Sequence, residues 1–357
     1  MIIFTSRFVL KVKKVFVTYV FLSLMLVACG GRKECVQSDE WTFAPPAGVV
    51  LDTIAIDTMD LKNPFIRYEY DDNCYYMVGD GGHMWVSSNL RTWTGPYDVL
   101  DQDTASWIGA EPVVTSPEIH RYGGKYYYMA TFERPDVVAR DADGRPFVRR
   151  SCVALVSDDI RGPYRTIDSK SKLLVESEMA AHPTFGVDHL GASYMIYTHQ
   201  GEQNGNGTVQ IIRFSDDLGR RVGEAYIMFA AEKNRWSGEV VDGERFFSPV
   251  MEAPLLFVTD EKEMGILFTS YIGGEKAIGV AYTATGEYGY NGPWTVEDEP
   301  LLKGGVSCSA IFGDYDGTKV LVVGKDTVVG GVEKCVPQLL KLDMQFEKLK
   351  IEGHYTF

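Results

Sequence analysis

From Asn63 onward the chain alternates short apolar runs with turns rich in Gly, Asp and Asn, and the three-to-four spacing of an amphipathic helix is missing. Five runs fall into register when stacked: Cys74-Tyr-Tyr-Met-Val-Gly79, Lys125-Tyr-Tyr-Tyr-Met-Ala130, Ser193-Tyr-Met-Ile-Tyr-Thr198, Gly265-Ile-Leu-Phe-Thr-Ser270 and Lys319-Val-Leu-Val-Val-Gly324. A turn precedes each, and before each turn lies another apolar stretch, at Phe65-Ile66, Ile119, Phe185, Leu255 to Phe257 and Ile311-Phe312. The middle runs are apolar without alternation, which predicts strands covered on both faces.

Each unit continues into a polar turn: Ser87 to Leu90, Ser157 to Ile160, Ser215 to Leu218 and the looser Thr283 to Gly286. An aromatic often follows, as at Trp93, Tyr164 and Trp294. Small antiparallel sheets repeating every roughly 50–70 residues are the signature of a β-propeller. The predicted fold is therefore all-β, a five-bladed β-propeller in a single domain over 46–357.

In a propeller the innermost strands all enter the central channel from one end, so equivalent entry residues converge. The entries read Asn63-Pro64-Phe65-Ile66, Ser116-Pro117-Glu118-Ile119, His182-Pro183-Thr184-Phe185, Glu252-Ala253-Pro254-Leu255 and Cys308-Ser309-Ala310-Ile311. Proline is tolerated at the first residue of a strand, but that does not account for the polar residue before it.

On these entries, on Ser116 to Tyr128, on the Ser157 to Tyr164 turn and on Met251-Glu-Ala-Pro254, the chain resembles glycoside hydrolase family 43 over about residues 60–325. The resemblance implies inverting hydrolysis of glycosidic bonds in the channel. One carboxylate activates water, another protonates the leaving oxygen, and a third raises the pKa of the acid. Carried over position by position, Glu252 is the general acid. Asn63 stands at the base position and His182 at the pKa-modulating one. Cys308 lies in the segment where the family has a histidine facing a central ion or its waters. Asn63 cannot deprotonate water but can position it. The base is then missing, or moved to Glu118 or His182, with Asp80, Asp103 and Glu111 as loop carboxylates able to reach inward. His120 and His199 are expected near the channel, and Trp107 and Trp236 at its mouth as platforms for sugar faces. The expected function is hydrolysis of glycans at the cell envelope. The competing reading is a carbohydrate-binding propeller without catalysis; a bare interaction platform finds no positive support.

Composition narrows the partners. Lys+Arg 35 against Asp+Glu 49 gives a net charge of −14, with four of the bases in the first 28 residues. A body this acidic, with no basic stripe, predicts no nucleic-acid partner, whereas a neutral oligosaccharide or polysaccharide is compatible. No cofactor is expected: a lone Cys308 is a poor ligand for calcium, and calcium is conceivable only on carbonyls, carboxylates and water. Of the six cysteines none has the short spacing of a zinc or redox site.

The first residues read as an address. A basic stretch from Arg7 to Lys14 precedes an apolar run from Val15 to Ala28, too short to span a bilayer comfortably. The run ends in Ala28-Cys29, which resembles the lipobox of bacterial lipoproteins. Residues 1–28 are thus expected to be a signal peptide, Cys29 a lipidation site and 29–45 a tether. The protein would be lipid-anchored at the bacterial cell envelope, on the outer membrane, facing the periplasm or the surface.

Overall fold

The computed structural model describes residue 35 and residues 44–357, apart from 102–107, 110, 141–143, 145, 168–179, 189, 200–206, 238–239, 243–244, 248–249, 262, 284–289, 291 and 346–347. The signal-like segment, Cys29, most of the tether, Asp103 and Trp107 lie outside the described residues. The chain divides into two units, Met1–Cys35 and Val36–Phe357, and the fold below is that of the second. Among the described residues no helix is long and apolar enough to cross a membrane.

Five antiparallel sheets follow one another along the chain. Blade I holds β1 (Asp52–Ala55), β2 (Phe65–Glu69), β3 (Cys74–Val78), β4 (Met84–Ser87) and β5 (Thr92–Tyr97). Blade II holds β6 (Val113–Tyr122), β7 (Lys125–Arg140), β8 (Pro146–Ser157) and β9 (Arg165–Thr166). Blade III is β10 (Ala180–Val187), β11 (Ser193–His199), β12 (Thr208–Phe214) and β13 (Arg221–Ala230). A small hairpin, β14 (Val240–Asp242) with β15 (Arg245–Phe247), leads to blade IV: β16 (Glu252–Val258), β17 (Met264–Ile272), β18 (Glu275–Thr283) and β19 (Trp294–Val296). Blade V is β20 (Val306–Gly313), β21 (Lys319–Val329), β22 (Val332–Asp343) and β23 (Lys350–His354). The five stacked runs of the sequence are β3, β7, β11, β17 and β21, the second strand of every blade. The inner strands touch in the cyclic order β2, β6, β10, β16, β20 and back to β2. This is a five-bladed β-propeller.

The core lies between blades. Tyr127, Met129 and Cys152 of blade II pack on Met195, Tyr197 and Ile212 of blade III. Phe229 and Ile211 of blade III meet Phe268 and Ile266 of blade IV, and Leu267 and Val280 of blade IV meet Leu321 and Val323 of blade V. Every residue of β3 is buried, as its unbroken apolar run requires. The aromatics after the polar turns are anchors: Trp93 Nε1 donates to the Leu90 carbonyl at 3.0 Å, Tyr164 Oη to Ile160 at 2.6 Å and Trp294 Nε1 to Tyr290 at 3.3 Å. Each of the three satisfies its own polar atom while burying a large ring, the requirement for an aromatic of this kind in a core.

Among the described residues no strand is exchanged between the first blade and the last. The ring closes through side chains instead. Tyr75 of blade I and Tyr355 beyond β23 both donate to the buried carboxylate of Asp314. The backbone N–H of Leu61 donates to Cys335 at 2.8 Å, and that of Cys335 to Asp60 Oδ1 at 2.9 Å.

Candidate active site

Four inner strands carry the same irregularity near their entry. The register slips between Thr115 and Glu118 in β6, between Ala181 and Thr184 in β10, between Glu252 and Leu255 in β16 and between Cys308 and Ala310 in β20. These are bulges, which locally free residues from the ladder and turn them toward a new direction. In the first three the freed pair ends in proline, which has no N–H for the ladder to lose. The residue before each proline is held left-handed: Ser116 at φ 48°, His182 at φ 53° and Ala253 at φ 47°, with Asn63 at φ 49° at the equivalent point of blade I. Such a conformation costs a non-glycine residue about 1 kcal/mol or more and persists only where the surroundings enforce it. Four blades enforce it at the same place.

The consequence is convergence. Asn63, His182 and Glu252 line one cavity of about 520 Å³, together with Lys62, Thr269, Tyr271, Lys276 and Ser307. A second cavity of about 280 Å³ shares Asn63, His182 and Ala253 with the first and continues down the inner strands to Glu118, Leu255, Cys308 and Ser309. The upper cavity thus holds the entry residues of blades I, III and IV, and the lower one is the channel beneath it.

Hydrogen bonds tie blades I, II and III into one arc. Asp80, which follows β3, accepts from Asn63 Nδ2 at 2.9 Å and from the Ser116 N–H at 2.9 Å. Ser116 Oγ lies 2.6 Å from His182 Nδ1, and the His182 N–H donates to Thr131 Oγ1 at 2.8 Å. Asn63 spends its donor on Asp80 and so keeps its carbonyl oxygen as an acceptor. Burial raises the pKa of Asp80 above the usual carboxylate range, although the bonds from Asn63 and Ser116 and the nearby His182 pull it down. Burial also depresses the His182 imidazole to about 4, against an upward pull from Asp80. His182 is therefore neutral across the working range, with the basicity of an ordinary aspartate.

Glu252 is part-exposed at the mouth, yet the protein around its carboxyl raises the pKa. Lys276, the Tyr271 hydroxyl, which donates to Oε2 at 3.4 Å, and Arg150 only partly offset that rise. A carboxyl whose pKa is raised beside a cavity is shifted in the direction a general acid needs.

The remaining expected residues fall at three depths. Glu118 is buried in the lower channel, 2.6 Å from His120 Nε2, and burial raises its pKa despite that bond. His120 packs between Phe65 and Phe185, each ring centroid 5.4 Å away, and so belongs to the channel wall below the entries. Cys308 lines the channel; its thiol donates to the Ala253 carbonyl at 2.9 Å and is pushed up to about 12 by burial. A protonated, hydrogen-bonded thiol does not fit a hard cation. His199 ends β11 and is buried opposite Ala180, apart from both cavities. Trp236 departs from the expectation of a sugar platform: it stacks on Phe268 at 6.0 Å and 10° and lies against Gly279, so its large face is spent on the packing of blade IV.

Several contributors lacked a pattern in the sequence. Tyr271 and Lys276 sit where β17 and β18 run on past Thr269, the partner of Glu252. Arg150, on the long β7–β8 hairpin, acts electrostatically on both His182 and Glu252. The one available signal was the length of those hairpins beyond the stacked runs.

The model of glycosyl hydrolases family 43 matches residues 54–324, well over half of the chain. The chain belongs to this family. Among solved structures it is similar to an endo-arabinase from Bacteroides thetaiotaomicron VPI-5482, with TM-score 0.68 and 22% identity over 85% of this chain and 99% of that one. It is also similar to a thermostable family-43 glycoside hydrolase, with TM-score 0.62 and 18% identity over 87% and 96% of the two chains. An endo-1,4-beta-xylanase from the same Bacteroides matches with TM-score 0.61 and 16% identity over 85% and 97%. No curated protein sequence matches the chain. This family 43 member thus keeps the propeller of its relatives.

Proposed function

We propose that this family 43 propeller hydrolyses O-glycosyl bonds of an oligosaccharide or polysaccharide in the cavity lined by Asn63, His182 and Glu252. The observation that carries the proposal is the pairing, in one cavity, of a carboxyl whose pKa is raised by desolvation with an imidazole whose pKa is depressed to about 4. With its Nδ1–H donating to Ser116 Oγ, His182 has a lone pair on Nε2 to accept a proton from water. Asn63 Oδ1 orients that water. The water oxygen bonds to the anomeric carbon, the glycosidic C–O bond breaks, and Glu252 gives its proton to the leaving oxygen. One proton enters the site on His182 as one leaves from Glu252, so the charges balance. Glu118, fixed to His120 lower in the channel, supports the ring of His120 and takes no part in proton transfer.

One observation favours the alternative of binding without hydrolysis: the base position of blade I holds an amide, and that amide is committed to Asp80. Assays of the protein on arabinan, xylan and a panel of aryl glycosides separate the two readings. Turnover abolished by Glu252→Gln supports hydrolysis. Saturable glycan binding with no turnover on any member supports the alternative.

The same proposal places the protein at the bacterial cell envelope, held by a lipid on Cys29. Cys29→Ala should release it from the membrane fraction or leave it unprocessed; unchanged lipid labelling of that variant would contradict the anchor.

A further inference from the structure

We infer that the glycan taken by the catalytic cavity carries an anionic substituent, a carboxylate or a sulfate ester, and that Lys62 and Lys276 receive it; the inference rests on the reading of that cavity as a glycan site. Both lysines line the cavity of about 520 Å³, Lys62 from the entry of blade I and Lys276 from β18 of blade IV. They lie toward one wall, since each acts electrostatically on the thiol of Cys335, a blade V residue that lines the same cavity.

Few other groups set the charge of the cavity. Asn63 is an amide, and His182, its pKa depressed to about 4, is neutral at pH 7. Glu252 is the one carboxyl among the described lining residues, and it adds no charge in the acid form its role requires. Nearby Asp60, Asp80 and Asp326 do not line the cavity, and each is engaged by a donor. Asp60 accepts from the Cys335 N–H at 2.9 Å, Asp80 from Asn63 and Ser116, and Asp326 pairs with Lys276 at 3.0 Å. Lys62, exposed at the rim, forms no ion pair among the described residues. Arg150, paired with Glu133 at 3.7 Å, adds a third cation that acts on both His182 and Glu252.

A chain of net charge −14 thus lines its cavity with ammonium groups. At physiological ionic strength, charges beyond roughly 8 Å are largely screened. An anionic group in the cavity therefore meets the two lysines rather than the acids of the distant surface. Ammonium donors bond carboxylate and sulfate oxygens about twice as strongly as neutral hydroxyls. The ligand class is a glycan with an acidic sugar, either a uronic acid or a sulfated residue.

The test is calorimetric binding of matched pairs to the Glu252→Gln protein, in which glutamine stands for the acid form. The pairs are methyl galacturonide and methyl galactoside, methyl glucuronide and methyl glucoside, and galactose 6-sulfate and galactose, with arabino- and xylo-oligosaccharides as neutral references. In at least one pair the acidic member should bind about tenfold or more tighter than its neutral counterpart, and added salt should shrink that preference. The pair that responds separates carboxylate from sulfate. Lys62→Met, at an exposed position, should remove most of the preference, and Lys276→Met repeats the test from blade IV. Neutral members, references included, that bind as tightly as every acidic one, or a preference untouched in both folded lysine variants, overturn the anionic site and leave the cavity reading intact. Absence of binding by every acidic and neutral member overturns both.

Discussion

Ser116 Oγ and His182 Nδ1 stand 2.6 Å apart and join two left-handed entry residues across adjacent blades. The bond fixes which ring nitrogen faces Ser116 and leaves the other for the cavity. Removing it strands a buried imidazole nitrogen. Ser116→Ala should therefore destabilise the protein by about 1–3 kcal/mol, read by urea unfolding, and should lower turnover as well. A variant with unchanged stability and turnover would show that the bond does not hold His182.

The depressed His182 pKa makes a pH prediction. Unfolded, the imidazole takes up a proton near 6.5; folded, near 4. Its contribution is fully present above pH 6.5 and is lost as pH falls toward 4, a loss on the order of 3 kcal/mol. Unfolding free energies between pH 7 and 4 should fall steeply for the wild type and more gently for His182→Gln.

Glu252 has the opposite sign. Its folded pKa is raised above 4.5, so the folded state is penalised as pH rises past 4.5 through the folded value. Glu252→Gln, which cannot ionise, should melt higher than the wild type at pH 7 and close to it at pH 4. The acid form is also the active form, so hydrolysis should decline as pH rises through the same folded pKa.

Restoring a carboxylate at blade I has a non-obvious outcome. Asn63→Asp places a second carboxyl at the 2.9 Å contact now made with Asp80, and two acids that close share a proton. The single variant should gain little turnover near neutral pH. Asn63→Asp with Asp80→Asn frees the new carboxylate and should exceed the single variant about tenfold or more. Equal rates for the two would mean that Asp80 does not govern the base position.

Blade number and the convergence of entries were legible because five stacked apolar runs, each preceded by a turn and an earlier strand, leave few alternatives. The stacked runs around Tyr75, Tyr127 and Leu321 became second strands because residues buried on both faces cannot be placed at an edge. The partners of the entry residues were not legible in the same way. Asp80 reads as one more turn carboxylate until β3 sets it beside Asn63 and Ser116. Trp236 read as a mouth aromatic because its neighbours are polar, while its stacking on Phe268 depends on a blade contact that local composition does not encode.

Ring closure is similarly invisible in sequence. Asp314 accepts from tyrosines of the first and last blades. Asp314→Ala would leave both hydroxyls without their acceptor and should cost about 3 kcal/mol or more, with Tyr355→Phe costing less. Thermal or chemical unfolding of the two variants checks the order, and a silent Asp314→Ala would deny the carboxylate its closing role.

Whether Glu252 delivers the proton to the leaving group is read from the leaving-group dependence of Glu252→Gln. Rates are compared with the wild type on alkyl and unactivated aryl glycosides, and on aryl glycosides whose leaving groups need no proton. A loss of about 10²–10⁴-fold is expected on the first group and a far smaller one on the second. A wild type that turns over the unactivated glycosides no faster than Glu252→Gln would contradict it.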